Sequence, residues 1–265
     1  MRRTGNRLAP SVAVENSLYD DVSPLVHVMF EKVDVAMRRC TLSRVREPII
    51  ETFRRHSRTI TQRFISRVVS HTMSAFKSAT KGFDAKAKDL LTSARSVRRM
   101  EKRWAECESL VKDIPVLFFK KLDLAVRQYN DRLLTKDRLD ARYDELKRQT
   151  YGRLRLIAET QNARATEAMF INRCEEGGIQ LVQWRHTHLP EQKPRDYHLR
   201  KWDGHSGKRN GRPNGLNGYV FRLDNPPVID LKTGERGFPA QLVNCKCYLV
   251  PVEDTPVARK GRSVV

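Results

Sequence analysis

Hydrophobic residues recur at intervals of three and four positions through residues 11–178, and this period predicts one helix after another. Leu25, Val28, Met29, Val33 and Met37, for example, fall on one face of a helix. A second stripe of this kind runs through residues 49–73. The face opposite that stripe carries five arginines: Arg54, Arg55, Arg58, Arg63 and Arg67.

Proline and glycine predict where these helices begin and end. Pro48 and Pro115 lack the amide N–H that an interior helical position donates, so we expect them in first turns or at kinks. Gly177 and Gly178 follow the last apolar stripe and predict a left-handed cap at the end of that helix. Separate amphipathic stretches are expected over residues 85–111, 115–134, 137–149 and 154–171.

The pattern changes after Trp184, where residues 185–240 are rich in glycine and proline and hold four of the seven histidines. Short alternating runs predict strands at residues 179–186, 219–223 and 247–251. The expected fold class is therefore α+β, with a long mainly helical N-terminal region followed by a small loop-rich α+β module. The predicted divisions are a basic arm (1–11), a helical region (12–150), the module (151–252) and a flexible basic tail (253–265).

The chain is strongly basic, with 51 Lys and Arg against 31 Asp and Glu and a formal net charge of +20. Such an excess favours a polyanionic partner, and nucleic acid above all, although an acidic protein neighbour would also fit. The candidate DNA contacts are the five arginines at 54–67 together with Lys208, Arg209 and Arg212. No apolar run approaches the roughly 20 residues that span a bilayer, and no signal segment opens the sequence. We therefore expect a protein without a membrane segment that starts in a cytoplasm.

Five cysteines at low density do not predict a disulfide framework. Cys40, Cys107 and Cys174 fall in helical patterns and are interpreted as small, partly buried residues. Cys245 and Cys247 stand one residue apart, a spacing that disfavours a redox pair because no Cys-x-x-Cys helix start is present.

Two interpretations of Cys245 and Cys247 remain. They can bind zinc with His198 and a fourth ligand from His188, His186 or His205, since thiolates and imidazoles are ligands that zinc prefers. Against this, Cys-x-Cys is not the usual zinc spacing, and strand alternation would point the two thiols to opposite faces. In the other interpretation one thiol packs in a core and His198 forms hydrogen bonds across the module.

Residues 150–252 resemble a known family in the order and spacing of several short motifs. The motifs are Trp184, Pro194-Arg195, His198, Asp203-Gly204, Phe221, Pro226-Pro227 and Asn244-Cys245-Lys246-Cys247. This string is similar to the phage Mu F-like minor head protein family, also described as the phage head morphogenesis domain. The helical stretch "AETQNARATEA" stands where the family has an Arg-Thr-Glu stretch. Lys246 departs from the family's arginine, and residues 200–221 form a longer, basic, glycine-rich insertion.

The resemblance implies a minor head protein of a tailed bacteriophage, present in several copies and acting in head assembly. It implies contacts with the portal protein, with other head proteins and, non-specifically, with packaged double-stranded DNA. Residues 12–150 are the candidate region for the portal and DNA contacts. The protein would be in the host cytoplasm during assembly and in the head interior afterwards.

Two alternatives belong to other classes of function. One is a free-standing nucleic-acid-binding protein; the other is an ADP-ribosyltransferase-like or nuclease-like enzyme. The sequence disfavours an enzyme because the only acidic residues near the histidines are Glu191, Asp196 and Asp203. Asp196 is better explained as a helix N-terminal residue, where its charge is favourable.

Overall fold

The computed structural model describes residues 10–80, 94–186, 196–202, 213–242, 245 and 247–253. Helices and strands follow one another in the order α1 Val12–Arg38, α2 Leu42–Ala79, α3 Ala94–Asn130, α4 Lys136–Glu176, β1 Leu181–Arg185, α5 Asp196–Leu199, β2 Val220–Arg222 and β3 Tyr248–Val252. Long helices therefore precede a small sheet, which confirms the α+β class. Within the described ranges, no helix combines the length and apolarity needed to cross a membrane.

Proline interrupts the helices less than the sequence predicts. Pro48 lies inside α2 and Pro115 inside α3, so neither stands in a first turn, and the alternative that they mark kinks stays a prediction. Around Pro115, Ile114, Phe118 and Phe119 are almost completely buried. Apolar packing on both sides of the proline offsets the hydrogen bond that it cannot donate. The stretches expected at 85–111 and 115–134 consequently join in one helix.

Three helices end in the same left-handed turn. Gly178 has φ +73°, and the Ile179 amide donates to the Cys174 carbonyl at 2.8 Å, which is the Schellman arrangement that Gly177-Gly178 predicts. Cys40 after α1 and Arg132 after α3 adopt the same backbone at φ +55° and +60°. No glycine marks those two positions, so the sequence does not signal them.

The sheet is antiparallel with the strand order β2-β1-β3. Val182 faces Phe221 across one pairing, and Trp184 faces Leu249 across the other. Alternate residues of β1 are buried, as expected of a strand with one face on a core. The three predicted strands are confirmed, with bounds that differ by one or two residues.

The chain divides into two compact units. One comprises residues 1–11, 68–101 and 162–265, and its core contains Phe170 and Trp184. The other comprises residues 12–67 and 102–161, and in it Phe30 packs edge-to-face on Phe118 with ring centroids 5.4 Å apart. The module boundary predicted between residues 150 and 151 falls within α4.

Candidate metal centre

The short helix α5 carries His198 into the core of the module. Asp196 begins this helix, as predicted, and its carbonyl accepts the Arg200 amide at 2.8 Å. The Leu216 amide donates to the Tyr197 carbonyl at 3.0 Å and holds α5 from the other side. His198 is only 2% exposed.

The ring of His198 is fixed in orientation by its neighbours. Its Nε2 atom lies 2.8 Å from the Ile229 carbonyl oxygen, which can only accept a hydrogen bond, so Nε2 carries the proton and donates. The ring meets Trp184 edge-to-face at a centroid distance of 5.2 Å. In the neutral imidazole, Nδ1 is then left with a lone pair directed away from Ile229. An imidazole held by a carbonyl in this way is typical of a metal ligand.

Both module cysteines lie beside that lone pair. The Sγ atoms of Cys245 and Cys247 are 3.7 and 3.9 Å from His198 Nδ1, and all three donor atoms lie within 4.8 Å of one another. The prediction that strand alternation separates the thiols is wrong, because both cysteines precede β3, which begins at Tyr248. His198, Cys245 and Cys247 thus form a group that can hold a metal ion.

The two thiols differ in their affinity for a proton. The pKa of Cys245 lies well below the usual range because Cys247 donates a hydrogen bond to it, an effect that burial opposes. The pKa of Cys247, the donor, lies well above that range because of the same bond and because of burial. Cys245 is therefore the more acidic of the two thiols, and metal binding would release the protons that the pair still holds.

A carboxylate from α4 faces the same region. Glu167 is 7% exposed, and its Oε1 atom has no hydrogen-bond partner among the described residues. Burial raises the pKa of Glu167, and the negative charge of Cys245 raises it further. Sequence reasoning counted three acidic residues near the histidines and missed Glu167. The one signal for it is its place in the stretch that resembles the family's Arg-Thr-Glu.

Arg164, one helical turn before Glu167, holds the loop that leads to Cys245. Its guanidinium donates to the carbonyl oxygens of Ala240 at 3.3 Å and Gln241 at 2.8 Å. The Cys245 amide then donates to the Leu242 carbonyl at 3.1 Å. These bonds fix the loop's path over α4 and hence the position of the first thiol.

Pro226 and Pro227 support the centre from the opposite side. The carbonyl of Pro226 accepts a hydrogen bond from Arg236 at 2.9 Å, and that of Pro227 accepts the Gly237 amide at 3.0 Å. A bridge between Val228 and Arg236 closes this segment. The segment carries Ile229, whose carbonyl orients His198, so the two prolines act on the centre through the backbone.

Several predicted residues fall outside the described part of the chain: His188, Arg195, Asp203, Gly204, Lys208, Arg209 and Arg212, together with His205. His186, another predicted ligand, is described and lies just after β1. It is buried but does not belong to the group formed by His198 and the two cysteines.

The five arginines of α2 are all exposed, as predicted, but their charges are not equally available. Arg63 and Arg67 lie 3.9 and 3.1 Å from the Asp21 carboxylate, and Arg54 lies 3.7 Å from Glu51. Arg55 and Arg58 have no ion-pair partner among the described residues. No described carboxylate therefore offsets the positive charges of Arg55 and Arg58.

Three comparisons with known proteins were made for this chain. No family model, curated protein or solved structure matches it. The resemblance to phage head morphogenesis proteins stays a prediction that depends on the motif residues themselves.

Proposed function

We propose that this chain is a minor head protein of a tailed bacteriophage, acting inside the capsid in head assembly at the portal vertex. The observation that carries the proposal is the convergence of Trp184, His198, Cys245 and Cys247 in one buried cluster. These are four of the residues on which the resemblance depends. Their shared position supports the idea that the motif order reflects a common module.

A structural role, and not a catalytic one, fits the burial of this cluster. His198, Cys247 and Cys245 are 2%, 3% and 7% exposed, so a substrate would have little access to their reactive atoms. We expect no nuclease or ADP-ribosyltransferase activity that depends on His198. A folded His198→Ala variant that loses an activity measurable in the parent protein would contradict this expectation.

We further propose that His198, Cys245 and Cys247 bind zinc. Ideal tetrahedral zinc, with Zn–S of about 2.3 Å and Zn–N of about 2.0 Å, separates sulfur from nitrogen by about 3.5 Å. The two observed S–N distances of 3.7 and 3.9 Å lie close to that separation. Zinc would cross-link α5 to the residues before β3 and stabilise a loop-rich module.

The DNA contact that the proposal includes can be tested through salt dependence. The logarithm of the binding constant should fall linearly with the logarithm of the salt concentration, by about 0.9 per phosphate neutralised. Replacing Arg55 and Arg58 with glutamine should reduce the slope by about two. The matched double variant of Arg63 and Arg67 should reduce it less, because Asp21 already offsets part of their charge. Affinity that does not change with salt would contradict the electrostatic account.

Co-assembly separates this proposal from a free-standing nucleic-acid-binding protein. The chain should co-purify with the portal protein encoded in the same genome when the two are produced together, and DNase treatment should not release it. DNA binding without association with portal or other head proteins would favour the alternative.

A further inference from the structure

Glu167 is a buried carboxylate for which the described residues supply no counter-charge. Its side chain is 7% exposed, and Oε1 lacks a hydrogen-bond partner among them. Buried carboxylates are normally paired, hydrogen-bonded or bound to a metal, because removing such a group from water is unfavourable. The arginine nearest in the chain, Arg164, directs its guanidinium to the carbonyl oxygens of Ala240 and Gln241. The raised pKa of Glu167 reflects this missing partner, and a bound cation would supply one.

The surface of α4 that carries Glu167 points toward the cysteines. Residues three, four and seven positions apart share one helix face, which groups Glu167 with Ile171 and Cys174. Ile171 and Cys174 pack in the same buried cluster as Cys245 and Cys247. The charge of Cys245 raises the pKa of Glu167, and the charge of Glu167 raises the pKa of Cys247, so the carboxyl group lies near both thiols. Helix geometry and packing thus direct the carboxylate to the side on which the thiols lie.

We propose that Glu167 is the fourth ligand of the centre formed by His198, Cys245 and Cys247. This inference rests on the proposed zinc centre and completes it. Carboxylate oxygen binds zinc alongside sulfur and nitrogen, and structural zinc is almost always four-coordinate. In the structure the Glu167 carboxylate lies outside the 4.8 Å group of three donor atoms, so binding requires its side-chain torsions to turn.

A fourth ligand on α4 would allow the metal to connect this helix to the two segments that carry the other ligands. His198 lies on α5, and the two cysteines precede β3. A metal bound by all four residues would join three segments of the unit, including the helix whose Arg164 holds the cysteine loop. Two thiolates alone neutralise a divalent cation, so the added carboxylate leaves the site with one negative charge.

Cobalt(II) provides the test, since its visible spectrum reports coordination number and its charge-transfer bands report thiolate ligands. The full chain is stripped with a chelator and titrated with Co²⁺ alone. The parent protein should give the spectrum of a four-coordinate site. Glu167→Gln, which keeps the size of the side chain, should bind at least about tenfold more weakly and shift toward higher coordination as water enters. Glu167→Cys should restore four-coordination and add a thiolate charge-transfer band.

Two sets of controls make the result decisive. Glu175→Gln changes a carboxylate on the same helix that pairs with Arg99, and it should leave the titration unchanged. His186→Ala, His188→Ala and His205→Ala, which remove the three rival histidine ligands, should also leave it unchanged. One result would reject Glu167 as the ligand and still support the metal centre. In it, a histidine variant shifts the Co²⁺ spectrum toward higher coordination, while Glu167→Gln and Glu167→Cys leave the spectrum unchanged. If the parent protein binds no cobalt, the zinc centre fails together with this inference.

Discussion

The Nε2 atom of His198 lies 2.8 Å from the carbonyl oxygen of Ile229, and this bond decides which ring nitrogen faces the two thiols. A carbonyl cannot donate, so the proton stays on Nε2 and Nδ1 offers its lone pair. A side chain held in this way needs no rearrangement before it binds a metal, which lowers the cost of forming the site.

The first prediction concerns metal content. Protein purified without an affinity tag should contain about one zinc per chain, because closed structural sites bind zinc tightly. Cys245→Ser and Cys247→Ser should each lose that zinc, as measured by elemental analysis. Cys174→Ser is the matched control, since Cys174 is buried in the same cluster but lies outside the ligand group. It should lose stability and keep its metal; a parent protein that is folded and free of metal would contradict the zinc proposal.

The second prediction concerns the support of α5. A Cβ atom added at Gly215 would lie 2.2 Å from the Arg200 carbonyl oxygen, so Gly215→Ala must displace the backbone that follows His198. We expect a loss of about 2 kcal/mol in the free energy of unfolding and weaker Co²⁺ binding. The matched control is Gly152→Ala within α4, where nothing lies within 4 Å of the added atom and the variant should be stabilised by about 1 kcal/mol. Unchanged unfolding of Gly215→Ala would contradict the close approach.

The third prediction concerns the left-handed turns after α1 and α3. Cys40 and Arg132 hold positive φ angles that cost an ordinary residue about 1 kcal/mol and glycine almost nothing. Cys40→Gly and Arg132→Gly should therefore each raise the melting temperature. The gain in the free energy of unfolding should be somewhat less than about 1 kcal/mol, because glycine also has more conformational entropy in the unfolded chain. Gly178→Ala should lower it for the same reason. Thermal unfolding followed by circular dichroism measures all three changes.

The fourth prediction concerns pH. Burial raises the pKa of Asp34, but hydrogen bonds from Lys147, 2.9 Å away, and Tyr143, together with the positive charges of Lys147 and Arg38, outweigh it, so the pKa of Asp34 lies below its ordinary value. A carboxyl whose folded-state pKa is lowered stabilises the fold above its unfolded pKa of about 3.9, and this contribution is lost as the pH falls through the folded-state pKa. Lys147→Met should thus cost about 0.5 kcal/mol at pH 7, and less below pH about 3.5.

The control for that pH effect is Lys136→Met, which removes the partner of Asp140 at an exposed position on α4. It should change the free energy of unfolding less than Lys147→Met at every pH. Lys147 also lies 4.2 Å from the centre of the Tyr143 ring, a contact that Lys147→Met removes together with the ion pair. A double-mutant cycle with Asp34→Asn isolates the ion pair, and a coupling energy that stays constant from pH 7 to pH 3 would contradict the account.

The sequence predicted local structure best where the chemistry of single residues decides it. Gly177-Gly178 predicted a left-handed cap because glycine alone adopts that backbone freely, and the cap is present. Cys40 and Arg132 form the same turn although neither residue is a glycine that would signal it. Pro115 was expected in a first turn or at a kink; it lies inside α3, where the neighbouring buried side chains hold the helix together across it.

The candidate site was predictable in part. Cys245, Cys247 and His198 were grouped from their residue types and from the resemblance, and the structure brings them within 4.8 Å of one another. Glu167 was not included, because a helical stripe predicts that the buried face is apolar and gives no reason to place a carboxylate there. Only three-dimensional packing shows that this face of α4 lies against the cysteine segment.

The central position of β1 has a consequence for the order in which the protein is made. β1 leaves the ribosome more than sixty residues before β3, the neighbour that pairs with it from Leu181 to Arg185. Throughout that interval Trp184 lacks its facing residue Leu249, and one edge of β1 has unpaired amides and carbonyls. A nascent chain that pauses in this interval exposes an unpaired strand edge. Nascent chains on neighbouring ribosomes of the same message can pair with that edge. Slow translation across residues 186–247 should therefore favour aggregation, and chaperones that bind extended apolar segments should raise the yield of soluble protein.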